Sequence, residues 1–194
     1  MAGNCGKITK GISIDCDNPI VGGVKDRLIL INQDDLSGLG VNVTNSEIIE
    51  AITLASGSPA AKAYSFEGKN SSIDVTATFV KAKYSEGYTH QSVFRVFGNS
   101  SDIKKTIEAL GKGKYYAIIE NNYKGNAGDA SFEFLGKSIG LEMTAMESNK
   151  SDAETQGAYV VTLATPADFK EPHLPATVFI TDYATTKIMV NALL

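Results

Sequence analysis

Cysteine is nearly missing from this chain: in 194 residues it occurs only as Cys5 and Cys16. Two thiols with no further cysteine or histidine close by in sequence make neither a disulfide framework nor a zinc site. Tryptophan is absent, and histidine is confined to His90 and His173. A hydrolase triad needs one of them beside a nucleophile, and no Gly-x-Ser-x-Gly elbow accompanies either in sequence. Flanked by Thr89, Gln91 and Ser92, His90 is expected at the surface or in a strand ladder. His173, between Pro172 and Leu174, is expected in a loop, and replacing both histidines with alanine is expected to leave assembly and infectivity largely unchanged. No apolar run approaches the roughly 20 residues of a membrane-spanning helix. The opening Met1-Ala2-Gly3-Asn4-Cys5-Gly6 has neither the basic nor the apolar region of a secretory signal, which points to a protein made and kept in a cytoplasm. Basic residues are too few for a broad nucleic-acid face: 18 Lys and Arg against 22 Asp and Glu leave a net charge of −4. Sequence-independent DNA binding rests on neutralising phosphates, so specific nucleic-acid recognition is not expected.

Phosphate and metal motifs are equally incomplete. Gly111-Lys112-Gly113-Lys114 and Gly68-Lys69-Asn70-Ser71 lack the glycine spacing and Lys-Ser/Thr ending of a P-loop. Asp15-Cys16-Asp17-Asn18 opens like a calcium loop, with Asp26 at the twelfth place. Pro19, however, occupies a ligand position, and Ile20 stands where the sharp turn requires glycine. Only the bare spacing of Asp15, Asp17 and Asp26 is left as a looser acid set. Asp34-Asp35 reads as the start of a turn. Tyr115-Tyr116, Phe132 and Phe134 have faces that stack on sugars or bases, but their strand-like placement assigns them to the core. No catalytic, cofactor-binding or metal-ligating residue is assigned, no cofactor is expected, and the chain is read as a non-enzyme.

What is present suits one globular domain with a substantial core: 43% of residues are hydrophobic and 21% charged. Arg27-Leu28-Ile29-Leu30-Ile31-Asn32 reads as a strand. Thr44-Asn45-Ser46-Glu47 matches a helix capping box, but Ile48, Ile49, Ile52 and Leu54 suit a strand, and the strand reading is preferred. Ile73, Val75, Ala77 and Phe79 alternate with polar residues, and Tyr84-Ser85-Glu86-Gly87-Tyr88 reads as a hairpin returning through residues 93–97. One amphipathic helix is expected over residues 101–110, with Ile103, Ile107 and Leu110 as its apolar stripe and Gly111 as its stop. Strand-like runs follow at 115–121, 130–135, 140–145 and 158–164, with a polar exposed loop at 147–157, and Pro166, Pro172 and Pro175 mark an extended segment before an apolar piece at 177–180. The domain plan is then an N-terminal arm at 1–23, a β core at 24–184, and an apolar C-terminal tail at 185–194 that docks on this subunit or another. Both ends are expected to serve as arms for a neighbour, so that removing either would leave a folded domain.

Ile8-Thr9-Lys10-Gly11-Ile12-Ser13-Ile14-Asp15-Cys16-Asp17-Asn18-Pro19, continued by Val21-Gly22-Gly23-Val24-Lys25-Asp26-Arg27-Leu28, resembles the start of virion proteins from phages and prophages of gut Bacteroidales, the crAss-like phages among them. From Ala117-Ile118-Ile119-Glu120-Asn121-Asn122 to Val160-Val161-Thr162-Leu163-Ala164-Thr165 the layout is similar to that of phage tail-tube and tail-ring subunits. The resemblance implies a mainly β (α+β) fold, an antiparallel sandwich or open barrel of tail-tube type with one flanking helix and extended arms. It also implies a virion structural subunit, made in the host cytoplasm, that forms a homo-oligomeric ring or tube below the portal. Its partners there would be other tail, portal or head–tail connector proteins, with DNA passing through the ring. The alternative is a β-sandwich glycan- or receptor-binding module of a fibre or head decoration.

Overall fold

The computed structural model describes residues 8, 10–13, 16, 18–57, 59–81 and 83–194. Strand β1, Val24–Asn32, contains an uninterrupted run of buried residues from Leu28 to Ile31. Such a run belongs to a strand covered on both faces, because successive side chains point to opposite sides. The core divides accordingly. Leu28 and Leu30 join one cluster with Ala117, Ile119, Phe94 and Leu163, while Ile29 and Ile31 join another with Ile118, Phe132, Phe134 and Val190.

The remaining strands are β2 (Leu36–Val41), β3 (Ile48–Leu54), β4 (Tyr64–Glu67), β5 (Ile73–Lys81), β6 (Glu86–Val96), β7 (Tyr115–Asn121), β8 (Phe132–Leu135), β9 (Glu142–Glu147), β10 (Tyr159–Ala164) and β11 (Ala176–Val178). They form a seven-stranded sheet, β2-β3-β11-β8-β7-β1-β4, and a four-stranded sheet, β5-β6-β10-β9. All the pairings are antiparallel except β3 with β11. The fold is thus mainly β, two sheets packed as a sandwich, as the sequence led one to expect. The predicted hairpin joins β5 to β6, with Lys81 opposite Glu86. The capping-box residues make a turn instead of a helix: the Asn42 side-chain oxygen accepts from Thr44 N at 2.9 Å and Asn45 N at 3.1 Å, and β3 follows.

Helix α1 spans Ser101–Leu110. The Ser100 hydroxyl accepts from Ile103 N at 3.3 Å, which satisfies one of the free amides of the first turn. Ile107 and Leu110 are buried and Ile103 half-buried. The Tyr115 hydroxyl donates to Ala109 O at 3.0 Å, tying the end of the helix to β7.

The expected C-terminal arm is corrected by a second helix, α2, at Tyr183–Asn191. Asp182 caps it, accepting from Thr185 N at 2.8 Å. Thr186, Val190 and Leu193, spaced four and three apart, form a buried stripe against the seven-stranded sheet. Ala63 N donates to Leu193 O at 2.7 Å, and Arg27 Nη2 to Asn191 Oδ1 at 2.8 Å. The last ten residues are therefore one wall of this subunit's own core. At the other end, most of the described residues of the expected arm are exposed. Ile8, Ile12 and Ile20 are 88%, 103% and 82% exposed, and the described residues before Val24 form no strand.

Two changes test this layering. Ile107→Asp would bury an unpaired charge and should lower stability by several kcal/mol in chemical denaturation. Deleting residues 185–194 removes Val190 and Leu193, whose burial is worth about 1.5–3 kcal/mol each, along with the backbone bond from Ala63 to Leu193. That approaches the low end of the stability of a typical domain, so the truncated chain should fail to fold, whereas a chain lacking residues 1–22 should still fold cooperatively.

Candidate functional site

The sequence fragments weighed as sites are accounted for by local structure. Gly111 ends α1, and Gln33 N donates to Lys114 O at 2.9 Å. In the 68–72 turn, the Asp26 carboxylate accepts from Ser71 N and Ser72 N, both at 3.1 Å. Asp26 thus holds a turn, while Asp15, Asp17 and Cys5 lie outside the described residues. Asp34 and Asp35 sit in a single 3-10 turn, where Asp35 accepts from Asn32 Nδ2 at 2.6 Å. Tyr115, Tyr116, Phe132 and Phe134 are buried in the two clusters and present no stacking platform. Among the described residues no group of three or more His, Cys, Asp or Glu converges as metal ligands. Nor is any described helix long and apolar enough to cross a membrane.

His90 is not a surface residue: it is 1% exposed. On β6 it shares a buried face with Ser92 and Phe94, and its polar sequence neighbours concealed that placement. Its Nδ1 lies 3.1 Å from Gly136 N, and its Nε2 lies 3.0 Å from His173 O. An amide N–H can only donate and a carbonyl can only accept, so the ring is the neutral Nε2–H tautomer. Burial pulls its pKa below the ordinary value, against the opposing pull of the Glu171 charge and the His173 carbonyl. Glu171, itself buried, accepts from Ser138 N at 3.0 Å and Ile139 N at 2.7 Å. Two titratable groups thereby fix one turn, which starts at Gly136 with φ +77°. His173 is exposed in its loop, 3.8 Å from the Glu47 carboxylate.

That turn, Gly136-Lys137-Ser138-Ile139-Gly140, carries the Gly-x-Ser-x-Gly spacing, and only the fold brings it to a histidine and a glutamate. Its wiring differs from a hydrolase. No helix follows the turn, Ser138 is not among the residues with positive φ, and its side chain is exposed. Both imidazole nitrogens are taken by the backbone, and Glu171 binds amides, not the ring. The cluster positions a turn and does not activate a hydroxyl.

A second buried carboxylate sits on the opposite face. Glu120, at the end of β7, accepts from Lys124 Nζ and the Tyr183 hydroxyl, each at 2.7 Å, with Lys187 at 3.6 Å. Burial raises its pKa, but the hydrogen bonds from Lys124 and Tyr183 and the two ammonium charges outweigh this and hold it below the usual range. The group fastens the start of α2 to the central strands. Gly128, at φ +87°, lets the loop pass so near that an added Cβ would lie 2.7 Å from Tyr183.

The chain's candidate functional surfaces are then its arm and its sheet edges. β2 and β4 end one sheet, β5 and β9 the other. Beside β4 runs an apolar groove of ≈ 310 Å³, and near Gly23 a wider one of ≈ 730 Å³ mixes the charges of Asp74, Arg95 and Glu133. No protein-family model, curated protein or solved structure matches the chain.

The histidine node gives His90 a structural part that its sequence surroundings did not suggest. His90→Ala leaves the Gly136 amide without its partner and should cost about 1–3 kcal/mol, while Ser138→Ala should melt as the parent does. Because the folded state lowers the His90 pKa, its contribution is complete above the unfolded value of 6.5 and is lost as pH falls below it. Denaturation series at pH 7 and pH 5 should show a smaller loss in His90→Gln than in the parent. Equal losses would mean that His90 is not held neutral.

Proposed function

We propose that this chain is a structural subunit of a bacteriophage particle, a tail-tube, tail-ring or connector component that assembles with copies of itself. The observation that carries the reading is the N-terminal segment. It holds exposed isoleucines at positions 8, 12 and 20 on a domain whose core is already closed on both faces. Burying such a side chain is worth about 1.5–3 kcal/mol, so an apolar arm without cover is a surface awaiting a partner. Unpaired edges at both ends of both sheets offer places where a neighbour can add a strand. The acidic balance suits a passage through which DNA slides, since a basic lining would retain it. Large aromatics in the core and buried polar clusters that fix turns fit a stiff building block.

The receptor- or glycan-binding reading draws on one feature, the exposed aromatics Phe79 and Tyr84 on and beside the β5–β6 hairpin. Light scattering on a sizing column, followed by negative-stain microscopy of the peak, separates the two. The structural reading expects rings or short tubes. A chain that stays monomeric even with its tail partners present would overturn it.

A further inference from the structure

We propose that residues 8–14 of one copy add as a strand to the free edge of β4 in the next copy, with isoleucine side chains filling the groove beside α1. The proposal rests on the self-assembling reading above and names the surface that receives the arm. In Ile8-Thr9-Lys10-Gly11-Ile12-Ser13-Ile14 the three isoleucines all occupy even positions, while Thr9, Gly11 and Ser13 take the odd ones. In an extended strand this puts every isoleucine on one face, with Lys10 as the single polar member, the pattern of a half-buried strand. Among the described residues of this segment, Ile8 and Ile12 are almost wholly exposed and none belongs to a strand pair.

β4 has the matching features. It pairs with β1 on one side only, leaving its other edge without a strand. Tyr64 and Phe66 stand opposite Leu30 and Leu28, hence on the same face as those leucines, toward α1. There the groove is formed by Leu30, Tyr64, Phe66, Ala109, Leu110 and Tyr115. Its ≈ 310 Å³ corresponds to the space of about ten waters at roughly 30 Å³ each. A strand added to β4 would direct alternate side chains into it, giving backbone hydrogen bonds along the edge and apolar burial beside it.

The occupant is a second copy because the arm's root leads away from its own β4. Asn122 N donates to Gly23 O at 3.0 Å, the Asn122 side chain to Gly22 O at 3.3 Å, and Asn18 Nδ2 to Asn126 Oδ1 at 2.8 Å. Residues 121–126 continue β7, which lies on the other side of β1 from β4. Arm and receiving edge are different surfaces of one chain, so the contact is heterologous and repeats around a ring.

The test places a photo-crosslinker in the full chain, as Ile12→p-benzoylphenylalanine, and mixes labelled with unlabelled protein before irradiation. The expected result is an oligomer by light scattering and cross-linked peptides of mixed isotope that join residue 12 to residues 64–67 or 106–110. Ala109→Glu, a charge at an exposed helix position lining the groove, should leave the circular dichroism spectrum of the folded chain unchanged and abolish both the cross-link and the oligomer. An oligomer that cross-links elsewhere overturns the β4 contact and leaves self-assembly standing. Cross-links within a single isotope overturn the second copy as occupant. A monomer in every condition overturns the reading on which the proposal rests.

Discussion

Strands β1 and β7 are apolar on both faces, and the rest of the molecule follows from covering them. From Leu28 to Ile31 and from Tyr115 to Ile119 no side chain is left to solvent. A two-stranded ribbon of this kind cannot exist with one face in water, so each face needs a lid. The four-stranded sheet and the end of α1 close one side through Phe94, Val161, Leu163 and Leu110. The other side is closed by α2 through Val190 and Leu193, with β3, β8 and β11 contributing Ile49, Phe134 and Val178.

This requirement separates the two ends of the chain, which look alike in composition. At the C-terminal end Val190 and Leu193 line the core while Ile188 faces solvent, and Glu120, Lys124, Tyr183 and Lys187 hold the segment in register. The N-terminal residues are apolar with both core faces already closed. Their root is fixed by Asn122 beside the end of β7, and Ile8, Ile12 and Ile20 face solvent. Exposed isoleucines at positions 8, 12 and 20 on a completed sandwich are what favour the proposal of self-assembly, through backbone pairing and apolar burial.

Much of the fold was legible locally. The run Leu28–Ile31, the strand at 115–121 and the stripe Ile107/Leu110 with its Ser100 cap and Gly111 stop each carry their own periodicity. α2 was not legible, because Ile188-Met189-Val190 are contiguous in sequence and the buried position one turn earlier is a threonine, Thr186. The histidine node was hidden for a different reason. His90 meets Gly136 across 46 residues and Glu171 meets Ser138 across 33, so each partner reads as an ordinary polar residue in its own neighbourhood. Local pattern reveals which residues turn inward; it does not reveal which distant backbone groups a buried imidazole will find.

Native-state hydrogen exchange tests most directly the claim that α2 and the central strands are one unit while the arm is not. The account predicts that amides of residues 186–192 open with the same free energy as those of 28–31 and 117–119, through global unfolding alone. Amides of residues 10–13 should exchange near the unprotected rate in the monomer. If α2 exchanged freely while β1 and β7 stayed protected, the C-terminal segment would be a detachable arm after all and the double-lidded core would be contradicted.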